Sequence, residues 1–138
     1  LLLDEPTNGL DIPSKRQFRR AVASTSRDDQ IILISTHQVR DMENLIDPII
    51  VIDSGRIVFF HDLDLVSRAL SVTTGISDLP EEPLYAEKSV AGYTALTKTT
   101  GKRGVVDLEL LFNAIMSDPD RIEEACLDAA IQSEGTNE

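Results

Sequence analysis

The sequence begins with LLLDEPTNGLD (residues 1–11), and this stretch decides the fold. Three leucines followed by two acids predict a buried strand that delivers Asp4 and Glu5 to its C-terminal edge. Two neighbouring carboxylates are costly to hold at a strand end unless they share a cation or a proton. Taken alone, the acid pair is explained more simply by a strand followed by a solvated turn. A functional role for Asp4 and Glu5 therefore needs support from other residues of the chain.

Further strands follow at spacings typical of an α/β fold. QIILIST (residues 30–36) predicts a second buried strand that ends at His37, with a helix beginning at Pro13 and Ser14 before it. A second helix is expected after His37. PIIVID and RIVFF (residues 48–60) predict a hairpin, and Asp62 can cap a short helix that follows it. Alternating strands and helices predict a mostly parallel sheet flanked by helices. Because parallel strands end at the same edge, Asp4, Glu5 and His37 are expected to converge there on one ligand.

Composition excludes several classes of function. The net charge of −11 over 138 residues argues against a protein that binds nucleic-acid phosphates, and an aromatic content of 4% without Trp argues against a stacking platform for single strands. Cys126 is the only cysteine, and no apolar run reaches the roughly 20 residues that span a bilayer. Because the chain starts within a predicted strand, we expect it to be a fragment.

The balance of acidic and basic residues changes near residue 71. Residues 1–70 carry 11 acids and 8 bases, whereas residues 71–138 carry 13 acids and 5 bases. The second part contains two short stretches that can pair as strands, and two helical stripes preceded by Asp107 and Asp118 as capping residues. We therefore predict a domain over 1–70 and an acidic α+β extension over 71–138 with a frayed tail.

Four motifs in order resemble the ATP-binding subunit of ABC transporters. LLLDEP resembles the Walker B motif, TNGLD the D-loop, STH the switch-histidine loop, and DPIIVIDSGRIV the closing strand pair of that family. The resemblance is close over residues 1 to about 70 and looser from there to about 117. It implies the C-terminal half of a P-loop NTPase domain of the ABC type, with a small α+β extension.

The resemblance also implies roles for individual residues. Asp4 would hold Mg²⁺, usually through water, and Glu5 would be the general base that polarises the attacking water. His37 would contact the γ-phosphate of ATP and link it to the base. The D-loop residues would cross the interface of a head-to-tail dimer of ATP-binding subunits; they are Asn8, Gly9, Leu10 and Asp11.

Other motifs of the family do not occur in residues 1–138. No phosphate-cradling loop of the form GxxxxGK[ST] is present: the Gly-Lys pair at 101–102 has Leu96 in place of the first glycine and Arg103 in place of the hydroxyl residue. Neither an LSGGQ signature nor a Q-loop is found. We therefore expect this chain to be the C-terminal part of a subunit, inactive as an ATPase by itself.

For the intact subunit, the resemblance implies an ATPase that couples hydrolysis to transport, of the exporter type, through a separate transmembrane permease. Its cofactors would be ATP and Mg²⁺, and its place would be the cytoplasmic face of the membrane. Two alternatives stay open. One is a soluble ABC ATPase of translation or DNA repair, and the other is a non-catalytic interaction module that works through the acidic extension.

Overall fold

The computed structural model describes residues 1–27, 29–42, 44–99 and 102–134. The chain divides into two compact units, Leu1–Ile46 and Asp47–Glu138. The first unit contains β1 (Leu2–Asp4), α1 (Ile12–Thr25), β2 (Leu33–Ser35) and a short 3₁₀ helix (Val39–Met42). The second contains β3 (Ile49–Asp53), β4 (Arg56–His61), α2 (Leu63–Ala69), β5 (Leu70–Ile76), β6 (Tyr85–Ser89), β7 (Gly92–Lys98), α3 (Leu108–Ser117) and α4 (Pro119–Glu134).

In the first unit, β1 and β2 pair in parallel, with Leu2 opposite Leu33 and Asp4 opposite Ser35. The connection between them is α1, whose N-cap is Asp11: its carboxylate accepts a hydrogen bond of 2.9 Å from the backbone N–H of Ser14. A side-chain acceptor at this position satisfies one of the backbone donors that a helix start leaves unpaired. The predicted helix is therefore present and begins next to the turn that follows β1.

Two expectations about the sheet were wrong. Among the described residues, the pair β1–β2 is the only parallel pairing, and the other two sheets are antiparallel. The strands are also not buried on both faces, since Leu2 is 69% and Leu33 is 52% exposed. These leucines stay exposed because a sheet of two strands is not covered on that side by any described residue.

The second unit confirms the predicted hairpin and most of its helices. β3 and β4 pair antiparallel, and Ser54 and Gly55 both have positive φ, at 49° and 75°, as the tightest hairpin turns require. β6 and β7 form the expected strand pair. β5 was not predicted, and it completes an antiparallel sheet in the order β5–β7–β6. The turn-forming residues of SVTTGISDLP favoured a loop at this position. Because most of the strand is not fully buried, no apolar run indicated a strand.

The core of the second unit lies around α4, which contacts α2, α3 and β4. Its fully buried side chains include Phe59, Val66, Leu70, Leu96, Leu111, Ile115, Ile122 and Cys126. The boundary predicted between residues 70 and 71 falls inside this unit, because α2 packs on α4 and continues directly into β5. Contacts thus group 47–70 with the extension, while the assignment of 1–70 to an ATPase domain stays a prediction.

Three local features complete the fold. The helix expected after His37 is a single 3₁₀ turn, and Asn44, with φ of 62°, lies beyond its end in a conformation that does not continue a helix. Of the tail predicted to fray (SEGTNE, residues 133–138), Ser133 and Glu134 lie in α4 instead, and residues 135–138 lie outside the described residues. No helix within the described ranges is long and apolar enough to cross a membrane.

The packing of α3 generates a stability prediction. Leu111→Ala should lower the free energy of unfolding by about 2–5 kcal/mol, because it leaves a cavity in a fully buried position. Leu127→Ala is the matched control: Leu127 is half exposed on α4, and its truncation should change the free energy far less. Urea denaturation followed by tyrosine fluorescence reports on this unit, which holds both Tyr85 and Tyr93. Equal effects of the two variants would contradict this account of the core.

Candidate active site

Glu5 is held at the C-terminal edge of the β1–β2 pair by its backbone. Its N–H donates a 2.7 Å hydrogen bond to the carbonyl of Ser35, which extends the parallel ladder one residue beyond β1. Its carbonyl accepts a 3.0 Å bond from the N–H of Asn8. The φ of Glu5 is +44°, a left-handed conformation that costs a non-glycine residue about 1–2 kcal/mol. Bonds on both sides of the residue therefore maintain a strained backbone at this position.

The carboxylate of Glu5 is enclosed by the loop that follows β2. His37 Nδ1 lies 2.6 Å from Glu5 Oε1, and the backbone N–H of His37 donates to the same oxygen at 3.1 Å. The hydroxyl of Thr36 donates to Oε2 at 3.0 Å. The side chain of His37 is 71% exposed and that of Glu5 is 31% exposed. The pair is therefore fixed internally but faces solvent, from which a ligand can approach.

These contacts determine the charge of Glu5. The hydrogen bond from the His37 side chain is the main cause that lowers the pKa of Glu5 below its usual value of 4.5. Partial desolvation acts in the opposite direction, and the bonds from Thr36 and the His37 backbone lower the pKa further. Glu5 is thus ionised at neutral pH and acts only as a hydrogen-bond acceptor.

Asp4 lies beside this pair at the same strand edge. It is exposed, and its Oδ1 accepts a 2.7 Å hydrogen bond from the hydroxyl of Ser35. Among the described residues, no group of three or more His, Cys, Asp or Glu side chains could hold a metal ion. Mg²⁺, however, is commonly bound by one or two carboxylates, several waters and substrate phosphates. The oxygen donors at this edge fit that role and do not form a site made of protein groups alone.

The predicted D-loop residues form an exposed turn between β1 and α1. Gly9 has φ of +75°, which suits a glycine, and Asn8 and Leu10 are exposed on either side of it. The carboxylate of Asp11 is engaged as the N-cap of α1, and its hydrogen bonds with Ser14 lower the pKa of Asp11. The structure therefore gives Asp11 a local role, and the interface role of the turn stays a prediction.

A second group of polar residues, next to this turn, was not predicted from the sequence. Thr7 is fully buried, and its hydroxyl donates to Asp41 Oδ2 at 3.1 Å. Lys15 on α1 has its Nζ 2.7 Å from the same oxygen of Asp41. Residues so far apart in sequence share no local pattern, so an acid facing a base could not be identified from the sequence.

The other histidine has a different environment. His61 Nε2 lies 2.8 Å and 3.0 Å from the two carboxylate oxygens of Glu123 on α4. Its ring meets that of Phe59 edge to face, with centroids 4.9 Å apart. These contacts join β4 to α4, as expected of a structural histidine.

ABC transporter ATP-binding proteins are similar to part of this chain. The ABC transporter ATP-binding protein NatA of Bacillus subtilis is 39% identical over 59 residues, which are 43% of this chain and 24% of that protein. The bacitracin transport ATP-binding protein BcrA of Bacillus licheniformis is 39% identical over 59 residues, 42% of this chain and 19% of its own length. The curated relatives of this chain are ABC transporter ATP-binding proteins.

Other comparisons extend and limit this result. A putative ABC transporter ATP-binding protein of Sulfurisphaera tokodaii matches over 114 residues at 25% identity, covering 80% of this chain and 24% of the relative. The chain thus spans about a quarter or less of the length of these ABC relatives. No family model and no solved structure matches it. The matched segments are parts of longer ABC transporter ATP-binding proteins.

The environment of Asp41 predicts a pH-dependent contribution to stability. Desolvation acts to raise its pKa, but hydrogen bonds from Lys15 and Thr7, together with the charge of Lys15, lower it below 3.8. A carboxylate whose pKa is lower in the folded state stabilises the fold above its unfolded-state pKa, and this stabilisation is lost as pH falls through the folded-state value. Asp41→Asn should therefore cost about 1–3 kcal/mol at neutral pH and progressively less below pH 3.8.

Urea denaturation followed by circular dichroism measures this difference at each pH. Asp29→Asn is the matched control, because Asp29 pairs with Arg27 while 70% exposed and should contribute about 0–1 kcal/mol. A difference between wild type and Asp41→Asn that stays constant through acidic pH would contradict the ion-pair account.

Proposed function

We propose that this chain is the C-terminal part of an ATP-binding subunit of an ABC transporter, in which ATP hydrolysis is coupled to transport. The observation that carries the proposal is the contact between Glu5 and His37 beside Asp4, at the C-terminal edge of a parallel strand pair. Ligands of open α/β folds bind at such edges. The names of the relatives, which are ATP-binding proteins of ABC transporters, support the same reaction.

In this proposal the carboxylate of Glu5 orients a water molecule and accepts its proton as the water attacks the γ-phosphate. Ionised Glu5 is in the correct protonation state, and the bond from His37 fixes its orientation. The other nitrogen of the exposed His37 ring would face a phosphate that approaches from solvent. Asp4 would be the ligand of Mg²⁺, which when bound neutralises charge that develops on the phosphate oxygens.

The remaining parts of the proposal concern the whole subunit. We infer a head-to-tail dimer in which Asn8, Gly9, Leu10 and Asp11 lie at the interface, since this turn is exposed next to the catalytic edge. We also infer a separate permease partner and a position at the cytoplasmic face of the membrane. An exporter is favoured over an importer because one relative, from Neorhizobium galegae, is named a Nod factor export ATP-binding protein.

The alternatives are separable by sequence context. A soluble ABC ATPase of translation or repair would share these motifs, but the names of the relatives refer to transport. A non-catalytic interaction module would leave the contact between Glu5 and His37 without a purpose. A coding sequence that places GxxxxGK[ST] and LSGGQ before Leu1, with a permease gene beside it, would favour the transporter.

Glu5→Gln tests the general base in the longer subunit. The amide is nearly isosteric, so ATP binding should persist, while turnover should fall about 100-fold or more because the proton acceptor is lost. Glu81→Gln, an exposed change in the second unit, is the control and should keep wild-type turnover. Steady-state hydrolysis and nucleotide titration together make the measurement. Turnover of Glu5→Gln within about threefold of wild type would rule out the assigned role.

The 138-residue chain alone should bind ATP poorly. Phosphate affinity in P-loop proteins comes mainly from backbone N–H groups and the lysine of the glycine-rich loop, and residues 1–138 contain no such loop. At the strand edge, Asp4 and Glu5 repel a polyphosphate. Titration calorimetry with ATP and Mg²⁺ should show no binding at micromolar concentrations, whereas the longer subunit should bind. A micromolar dissociation constant for the short chain would show that other elements make the site.

A further inference from the structure

Lys15 and Asp41 form an ion pair in the first unit that is mostly shielded from solvent. Lys15 Nζ lies 2.7 Å from Asp41 Oδ2, and the two side chains are 23% and 17% exposed. The pair between Arg27 and Asp29 in the same unit is about 70% exposed at both ends. Exposed pairs contribute little because water screens them, whereas a shielded pair holds a defined geometry. The pair between Lys15 and Asp41 can therefore fix the segments that carry it.

Asp41 connects this ion pair to the turn after β1. The fully buried hydroxyl of Thr7 donates to Asp41 Oδ2 at 3.1 Å, and Thr7 stands two residues after Glu5. A buried hydroxyl without a partner is costly, so this bond resists rearrangement of the turn. The guanidinium of Arg19 also donates to the backbone carbonyl of Asp41, at 3.4 Å. Asp41 is thus held between the turn and α1.

Lys15, the other member of this ion pair, contacts the loop after β2. Its Nζ donates to Gln38 Oε1 at 2.9 Å, and Gln38 directly follows His37. The backbone N–H of Gln38 donates to the hydroxyl of Thr36 at 3.0 Å, and that hydroxyl donates to Glu5 Oε2. Hydrogen bonds on the side chain and on the backbone of Gln38 therefore connect Lys15, through Thr36, to the carboxylate of Glu5.

We propose that Lys15 and Asp41 are positioning residues that hold the His37 loop and the Glu5 turn together. This inference rests on the proposed ATPase function. Glu5 directly follows β1 and His37 lies two residues beyond β2, so both side chains stand where the strand pairing ends. The ion pair between Lys15 and Asp41 attaches both the turn after β1 and the loop after β2 to α1. A displacement of about 1 Å at a catalytic pair can lower a rate about 100-fold.

Lys15→Met in the longer subunit is the principal test. It removes the cation but keeps the aliphatic part of the side chain. We expect kcat for ATP hydrolysis to fall roughly 10- to 100-fold, with KM for ATP within about threefold of wild type, because the phosphate contacts are untouched. Lys15→Arg keeps the charge and should recover most of the rate. Arg27→Met, which breaks only the exposed pair, should retain the wild-type kcat.

A circular dichroism melt of each variant gives the folded fraction, and rates are expressed per folded molecule. A wild-type kcat for folded Lys15→Met, with a lowered melting temperature alone, would overturn the proposal and leave the pair a purely structural role. If Lys15→Met does not fold, Gln38→Ala replaces it: that change cuts the bond from Lys15 to the loop and leaves the ion pair intact. A wild-type kcat for Gln38→Ala would likewise overturn the proposal.

The same assay separates this inference from the function on which it rests. If Glu5→Gln lowers kcat and Lys15→Met does not, the function stands and the positioning role fails. If neither Glu5→Gln nor Lys15→Met lowers kcat, the proposed function fails and the positioning role fails with it.

Discussion

The register of one parallel strand pair is the constraint on which the candidate site depends. With Asp4 opposite Ser35, the ladder bond from Glu5 to Ser35 brings the acid next to Thr36 and His37. A slip of one residue would turn every side chain to the opposite face and separate the two groups. α1 makes this parallel pairing possible, because parallel strands require a long crossover connection between them. The geometry of the site therefore follows from how β1 and β2 align.

Polar groups in the first unit are divided between exposed side chains at the candidate site and shielded side chains next to it. His37 is largely open to solvent, whereas Thr7 is fully buried and Lys15 and Asp41 are mostly shielded. A site that acts on a charged ligand needs both kinds: groups that the ligand can reach, and packed neighbours that hold them in place. The strained backbone of Glu5 is consistent with this arrangement, since such conformations persist where surrounding contacts over-determine them.

The second unit carries nearly all of the net negative charge. Residues 47–138 contain 17 acids and 7 bases, against 7 acids and 6 bases in residues 1–46. Its helices nevertheless bury an apolar core around α4. One of its acids, Glu123, forms a hydrogen bond with His61. Such a surface repels nucleic-acid phosphates. The unit is thus a folded, acidic part of the chain with its own core.

Local sequence determined the elements that short-range chemistry controls. Asp62, Asp107 and the Ser54-Gly55 turn set helix starts and a hairpin through contacts within a few residues, and these were predicted correctly. The proximity of Asp4, Glu5 and His37 was also predictable, because parallel strands end at one edge. Three features could not be read from local patterns. Burial of β1 and β2 depends on what covers them, and β5 depends on its pairing with β7. The bond between Lys15 and Asp41 joins residues 26 positions apart, which only the tertiary fold brings together.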